Sequence, residues 1–493
     1  MSGGLPTGWT SFTLLDIGGV SGGKTPSKAN AEFWSSPDVP WVSPKDMKRD
    51  LLVDAEDRIS QMAVGAAGMT LYPAGAVLMV TRSGILQHTF PVALAGVELT
   101  VNQDIKVLRP IEGINPEFAF YMLKSFGGEI LSACSKDGTT VQSIDSEKLG
   151  AFPFPLAPAD EQIRIAQKLD ELLAQVDTLK ARIDAIPTLF KRFRQSVLAA
   201  AVSGRLTEEW RKQNQSTGTG EDVIKNDRLA KLALLNEQPE LKKKKSSVQS
   251  DIDESYLFEI PESWCFTTWG KISEWITYGF TRPMPKSESG KKLLTAKDVQ
   301  RFELELIDCG LTTTEAFEAL SDKDKPIKGD LLITKDGSIG RAALVKTEED
   351  FCINQSVAVC WLRSTTMNKR YLELLSNSDF TQRFVRDKAQ GMAIQHLSII
   401  DFAKCPIPVP SNTEQDEIVR RIEQLFAFAD QLETTVASAK SRIGHLTQSI
   451  LAKAFRGELV PQDPNDEPAS VLLERIQTQR AALKAKRGRK ASA

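Results

Sequence analysis

The sequence predicts a mixed α+β chain: two globular α/β domains separated by two long antiparallel helical regions, a coiled-coil rod with internal pseudo-two-fold symmetry. Three observations carry this expectation. First, phrases recur at one register: Glu161-Gln162 with Glu414-Gln415, Ser196-Val197-Leu198-Ala199 with Ser449-Ile450-Leu451-Ala452, and Gly204-Arg205-Leu206 with Gly457-Glu458-Leu459 (415 − 162 and 449 − 196 both give 253). A constant offset leaves no room for insertions, so helical phase is kept through both copies. Second, apolar residues step by three and four through each copy. Third, each helical copy follows a proline-rich exit from a globular segment, and two copies of one module on one chain imply a target met with two-fold symmetry.

Residues 1–158 form the first globular domain and 256–410 the second. They open alike, with Leu5-Pro6-Thr7-Gly8-Trp9 and Ile260-Pro261-Glu262-Ser263-Trp264, then diverge while keeping landmarks. Ser43-Pro44-Lys45-Asp46 matches Thr295-Ala296-Lys297-Asp298, Arg82-Ser83-Gly84 matches Lys335-Asp336-Gly337, and Val101-Asn102-Gln103 matches Ile353-Asn354-Gln355. Gly138-Thr139-Thr140-Val141-Gln142 matches Gly391-Met392-Ala393-Ile394-Gln395, and the fixed register of Gln142 and Gln395 points to domain architecture. Runs such as Ala76–Thr81 and Asp330–Thr334, bounded by glycine and charged turns, read as strands. The exits, Phe152–Pro158 and Pro406–Pro410, read as extended straps because proline disfavours helix at the residue before it. Asp160 and Thr413 then stand where helix N-caps are expected.

The helical regions are 159–206 and 411–480. A seam runs through Ile165, Leu169, Leu172, Leu173, Val176, Leu179 and Ile183, matched by Ile418, Ile422, Leu425, Phe426, Ala429, Leu432 and Val436. Such stripes serve ordinary core helices as well, but two phase-locked copies make each other the natural partner. Pro187 is expected to break or kink the first helix, and Gly204 and Gly457 to stop the helices. Residues 207–255 read as a polar flexible linker, with a short amphipathic helix around Val223–Leu235 and a run Lys242–Lys245. Residues 481–493 read as a basic disordered tail.

Composition sets limits. At 493 residues, 41% hydrophobic and 26% charged, the chain is an ordinary globular one. The six cysteines show no C-x-x-C spacing, and with only three histidines no metal site is expected. No apolar run approaches the ~20 residues that span a bilayer, and no signal-peptide pattern opens the chain, so a cytoplasmic protein is expected. The net charge of −2, with about 12 basic against about 16 acidic side chains in residues 1–158, gives no domain-wide positive field.

Several motifs invite catalytic readings and lack their context. Gly18-Gly19-Val20-Ser21-Gly22-Gly23-Lys24-Thr25 fits the P-loop pattern, yet Pro26 follows at once and the second copy offers no counterpart. Asn115-Pro116-Glu117-Phe118 lacks the second proline of the amino-methyltransferase signature and reads as a turn into a helix. Glu240-Leu241-Lys242 has a nuclease-like form without a strand, and His88, His396 and His445 have no triad partners at suggestive spacing. No catalytic constellation is expected in this chain.

Gly22–Ser27 with Trp34, Pro40–Met47, the two straps followed by Glu-Gln, the helix text Lys168–Asp177 and the phrase Ser449–Leu459 resemble the specificity subunit of type I restriction-modification systems, over essentially the whole chain. The resemblance implies a non-catalytic subunit with two target-recognition domains, each reading one half of a bipartite double-stranded DNA site. It further implies two modification (methyltransferase) subunits docked on the helices, methylating adenine with S-adenosylmethionine. Restriction (motor-nuclease) subunits cleave with ATP and Mg, and no cofactor is bound by this chain. Candidate DNA-binding residues are Lys24, Lys45, Lys48, Arg49, Arg82 and Ser83 in the first domain, and Arg282, Lys286, Lys291, Lys292, Lys297 and Lys335 in the second. Lysine and arginine serve guanine edges and phosphates alike, and each is equally at home as a solvated surface charge. Methylating partners that embrace the duplex would supply the missing positive charge.

Two other classes stay open on sequence alone: a tandem protein-binding scaffold that does not read DNA, and an ATPase working through Lys24. A helix from Ile163 to Ile186 is roughly 36 Å long, close to one DNA turn of about 34–36 Å, which makes the rod a ruler. Adding or removing one helical turn in each long helix is expected to change the unread spacer of the methylated site and leave both half-sites unchanged. An unaltered spacer in the methylome would sink the ruler.

Overall fold

The computed structural model describes residues 4–17, 20–136, 141–243, 251–391 and 395–491. The chain divides into two compact units, 1–184 with 437–493, and 185–436. In the first, the strands Val20–Gly22, Ile105–Leu108, Val77–Val80, Val92–Ala95 and Leu51–Leu52 lie side by side in that order, antiparallel except for the last pair. A second sheet sets Val39–Val42 between Arg58–Ile59 and, in parallel, Thr100–Val101. The second unit repeats the plan. Trp275–Tyr278, Val357–Trp361, Leu331–Thr334 and Ala342–Leu344 form an antiparallel sheet, and Lys286–Leu294 pairs with Gly310–Thr312 and, in parallel, with Phe351–Ile353. The central strands Val77–Val80 and Leu331–Thr334 are buried along their whole length, so an uninterrupted apolar run suits them better than alternation.

The landmarks of the sequence repeat are turn chemistry. Asp46 Oδ2 accepts from Ser43 N–H and Oγ at 2.8 and 3.0 Å, and Asp298 Oδ2 accepts from Thr295 N–H and Oγ1 at 2.8 and 2.9 Å. A carboxylate three residues after a hydroxyl closes a compact turn in both copies. Gln142 and Gln395 act through their backbone: their carbonyls accept from Ser83 and Gly337 N–H at 3.1 Å each. Gly138–Thr140 and Met392–Ile394 lie outside the described residues.

Both straps are strands. Phe154–Leu156 pairs antiparallel with Thr10–Phe12, and Pro406–Val409 with Cys265–Thr268. Each delivers the chain to a long helix, Ala159–Val202 and Asn412–Ala454, whose first turn holds the repeated Glu-Gln. Glu161 and Glu414 accept the indole N–H of Trp9 and Trp264 at 3.0 and 2.9 Å. Gln162 and Gln415 accept the backbone N–H of Asn115 and Asn368 at 3.0 and 2.8 Å, and donate to the Ala157 and Pro410 carbonyls. Asn115 and Asn368 in turn cap the helices Pro116–Ser125 and Lys369–Ser376. Gly204 and Gly457 sit at φ 75° and 73°, and a Cβ on either would come within 2.5 Å of Pro261 and Pro6 respectively. Only glycine ends these helices against the Pro-x-x-Trp phrase.

Several expectations change. The N-caps lie earlier: the first helix begins at Ala159, leaving Asp160 within its first turn, and Ser411 Oγ, rather than Thr413, accepts Glu414 N–H at 3.3 Å. Pro187 does not end the first helix, which runs on to Val202, so a length of about 36 Å covers only part of it. The missing bond costs about 3 kcal/mol, and burial of Ile165, Leu169 and Leu198 further along the same helix exceeds it at roughly 1.5–3 kcal/mol for each large side chain. The turns around Pro187 itself are exposed or half-buried.

The seam is antiparallel within each unit, so its partners are not the matching stripe. Ile165 and Leu169 share a core with Leu451, Ala454 and Phe455, and Ile418 and Ile422 share one with Val197, Leu198 and Ala201. Asp184–Lys440 (2.6 Å) and Arg194–Glu433 (2.8 Å) flank these contacts. Val176 and Ala429 are buried and Leu172, Leu425 and Val436 half-buried, but Leu179 and Leu432 are 44% and 38% exposed. Two helices cannot cover each other's whole stripe, so part of it faces outward.

In the segment expected to be a flexible linker, the amphipathic stretch around Val223–Leu235 is helical as expected, within Gly220–Glu237, and Glu208–Gln213 and Pro239–Lys243 are helical besides. Thr219 and Asp222 form a capping box, and Val223 enters the core of the second unit. Its polar residues dock rather than solvate. Asp227 accepts from Thr365 Oγ1 and Thr366 N–H at 2.6 and 2.9 Å, and Lys231 donates to the Lys271 and Ser273 carbonyls. Burial pushes the Asp227 carboxyl up and the Lys231 ammonium down. Lys244 and Lys245 lie outside the described residues. The tail expected to be disordered continues a helix, Ala469–Ala491, anchored by Leu472 and Ile476 in the core of the first unit and by Ala469 N–H on the Gly8 carbonyl (2.8 Å). Among the described residues no helix is long and apolar enough to cross a membrane.

The two buried glutamates are not equivalent. Glu414 Oε1 receives Thr207 Oγ1 (2.7 Å) and Arg211 Nη1 (2.5 Å). The register places Val460 and Pro464 at those positions for Glu161, whose Oε1 is buried without a partner, and burial pushes its carboxyl above the ordinary 4.5. A raised carboxyl contributes fully below its unfolded value and loses that contribution as pH rises through the folded value. The Tm of Glu161→Gln relative to the parent is therefore expected to improve as pH rises above the ordinary 4.5 in scanning calorimetry. Glu414→Gln strands Arg211 and is expected to cost about 2–4 kcal/mol in the second unit near neutral pH.

Candidate nucleic-acid interface

In the first domain, the strand Val20–Gly22 leads into a loop that passes close to Val101: a Cβ on Gly23 would lie 1.7 Å from the Val101 carbonyl. Lys24 N–H donates to that carbonyl (3.1 Å), and Trp41 Nε1 donates to the Lys24 carbonyl (3.0 Å). The P-loop-like glycine thus serves backbone packing. A 3-10 turn at Ala31–Phe33 follows, rather than a helix beginning at Lys24, so the cradle of N–H groups that holds phosphates is not built. Gly18 and Gly19 lie outside the described residues. The second domain repeats this approach: a Cβ on Gly279 would lie 1.8 Å from the Ile353 carbonyl, which accepts from Phe280 N–H (3.2 Å). The offset slips to 256 here (279 − 23), which hid the correspondence.

Of the first-domain candidates, Lys45, Lys48 and Arg49 gather around one shallow depression of about 250 Å³, together with Asp54 and Glu56. Lys45 is paired with Glu56 and Asp57 at 3.1 and 2.9 Å, and the hydrogen bonds it donates to Asp57 and Glu56 raise its ammonium above the ordinary lysine value. Lys48 and Arg49 are exposed. Lys24 stands apart, its Nζ donating to the Ala67 carbonyl (3.2 Å). Arg82 is exposed and its backbone bridges to Ser143, while Ser83 caps the 3-10 turn Gly84–Gln87.

In the second domain, Lys291 and Lys292 pair with Asp350 and Glu349 at 2.8 Å each. Arg282 donates to the Ala319 carbonyl (3.3 Å), Lys286 is exposed, and Lys297 is largely exposed beside Asp298. Lys335 is buried: its Nζ lies 3.2 Å from Asp336 and 3.5 Å from His396 Nδ1, over the ring of Tyr278. Sequence reading passed over several residues here. Lys323 also lies over Tyr278, and Lys325 and Lys291 lie over Phe317, so cations and aromatic faces interleave on this surface. Lys323 and Lys325 hid in the charge-alternating run Ser321–Lys325, and Tyr278 becomes visible only once Gly279 is aligned with Gly23. His396 is brought to Asp336 by an antiparallel bridge across 60 residues, which spacing along the chain cannot show.

Residues 6–188 and 283–439 match the family described as the type I restriction modification DNA specificity domain. Among curated proteins, the chain is 34% identical over 379 residues to the type I restriction enzyme EcoBI specificity subunit of Escherichia coli, covering 75% of this chain and 72% of that one. It is 32% identical over 393 residues to the EcoKI specificity subunit of Escherichia coli K12, covering 76% and 74%. Among solved structures, the HsdS subunit from Thermoanaerobacter tengcongensis aligns with a TM-score of 0.54 at 16% identity, covering 93% of this chain and 99% of that one, a likeness of fold.

Lys48→Ala with Arg49→Ala, two exposed cations on one depression, is expected to flatten the salt dependence of DNA binding by a slope of up to about 2. Lys291→Ala with Lys292→Ala, already neutralised by carboxylates, is expected to change it less. Binding isotherms between about 50 and 200 mM salt, with the methylating partner present, decide; equal slopes for both would remove the depression from the interface.

Proposed function

The chain belongs to the type I restriction-modification DNA specificity family, and on that premise we propose that each of its two recognition domains reads one half of a bipartite DNA site while the paired helices set the spacer. The observation that carries this reading is the contrast between frame and loops. The Trp–Glu and Asn–Gln contacts are the same in both units, whereas matched positions on the recognition loops differ: exposed Lys24 against buried Phe280, exposed Arg82 against buried Lys335, Ser83 against Asp336. A constant frame with divergent loops suits one chain that reads two unlike half-sites by direct contacts to base edges.

The rest of the machinery is assigned to partners. Two modification subunits dock on the helices, where Leu179 and Leu432 keep apolar surface exposed. They transfer the methyl group of S-adenosylmethionine to adenine in each half-site, and restriction subunits cleave unmodified DNA with ATP and Mg. This chain catalyses neither step and works in the cytoplasm, where its six free thiols stay reduced. Methylome sequencing of a host with and without the chain is expected to show one split adenine motif that depends on it. Exchange of residues 256–410 for another family member's second domain is expected to change one half of that motif. A motif that persists without the chain, or changes in both halves, would overturn the assignment.

A further inference from the structure

The first unit holds an open cleft of about 800 Å³ where the second unit is filled by its own chain. In the second unit a tight turn, Gln300–Glu303, closes through Gln300 N–H on the Glu303 carbonyl (2.9 Å). It carries Phe302 at φ 67°, the one non-glycine residue with positive φ among the described residues. A bulky side chain in that region is strained. It is held by Phe302 N–H on the Ala342 carbonyl (2.9 Å) and by its ring against Phe426, with centroids 6.3 Å apart. The turn seats Arg301: Nη2 donates to Gln382 Oε1 (3.1 Å), and with the Gln195 amide turned to suit its neighbours, Nη1 donates to its oxygen (3.0 Å) while its nitrogen donates to Asp379 (3.0 Å).

Carried back by the register of 253, Gln382 is answered by Glu129, Gln195 by Gln448 and Arg341 by His88, and all three line the cleft. The chain does not fill it. At the matching turn Asp50 takes Lys124, and Arg49 lines the separate depression with Lys45. The arginine seat is thus kept in the first unit, with a carboxylate in place of an amide, while the arginine of the matching turn, Arg49, lies outside it. Glu129 is exposed and has no hydrogen bond or ion pair among the described residues. Phe90, Phe126 and Phe455 supply apolar walls. Of the cations that line it, Lys124 is paired with Asp50 and Arg456 with Glu458, while Lys48 is exposed. What selects a guanidinium is the pair Glu129 and Gln448 at the positions of the two amides that hold Arg301, since a carboxylate takes a guanidinium in two charge-assisted hydrogen bonds.

We propose that this cleft receives a protein segment that presents an arginine beside an apolar side chain, seated as Arg301 and Phe302 are seated in the other unit. The partner is a modification subunit of the same system, a choice that rests on the reading above. The test uses the assembled complex of the full chain with that subunit, carrying the photo-crosslinking residue benzoylphenylalanine at Gln448 and, as control, at exposed Gln479. The expected product joins Gln448 to an arginine-containing peptide of the modification subunit. Glu129→Arg is expected to weaken assembly at least about tenfold at an unchanged unfolding midpoint, and reversing the mapped arginine to glutamate should restore it. Cross-links to DNA, to this chain alone or no stronger than the control would overturn the proposal, as would weakening without rescue. Methylation of a bipartite site by the same complex is read separately, so an active complex with no cross-link removes the cleft and leaves the specificity reading standing.

Discussion

The buried Glu-Gln pair at the head of each long helix is the contact on which the other contacts converge. The carboxylate takes the indole N–H of the phrase that opens the domain, and the amide takes the backbone N–H that starts the helix Pro116–Ser125 or Lys369–Ser376. Strand, strap and helix are thereby tied at one point by groups 0–2% exposed. Buried polar atoms of this kind are tolerated only when satisfied, and three of the four side chains are. The exception, Glu161 Oε1, marks where the copies have begun to differ within the frame.

Beyond this tie the copies vary freely because nothing in it depends on the reading surface. Gly23 and Gly279 hold the same backbone approach to a carbonyl, yet the next side chain is lysine in one and phenylalanine in the other. Hydroxyl–aspartate turns hold the same bends, yet the cations around them are paired differently. Affinity and architecture are separable here, and the modest net charge fits a reader whose partners supply most of the electrostatics.

Much of this was legible in the sequence. A constant register preserved helical phase, and prolines and glycines fixed the straps and stops, so both long helices, the two domains and their near-equivalence could be read directly. The rest depended on tertiary contacts. Pro187 stays helical because buried turns well before and after it hold the helix, its own surroundings being exposed or half-buried. Asp227 and Lys231 look like linker residues and are docking residues, since polarity does not announce whether its partner is water or a backbone carbonyl. The candidate cations were found by residue type, and only the fold separates exposed Lys48 and Arg49 from Lys335, which is buried against Tyr278.

The division of the chain has a kinetic side. One unit is a continuous stretch, 185–436, while the other joins residues 1–184 to 437–493, with Gly457 against Pro6 and Ala469 on Gly8. Closing a long flexible loop costs entropy before any contact compensates it, and a folded insert shortens that loop. Synthesis delivers the N-terminal domain first, yet its core lacks Leu451, Phe455, Leu472 and Ile476 until the last helices emerge. The half of the protein that is made first is therefore the half completed last, and a truncated chain keeps one finished reader and one with an open core.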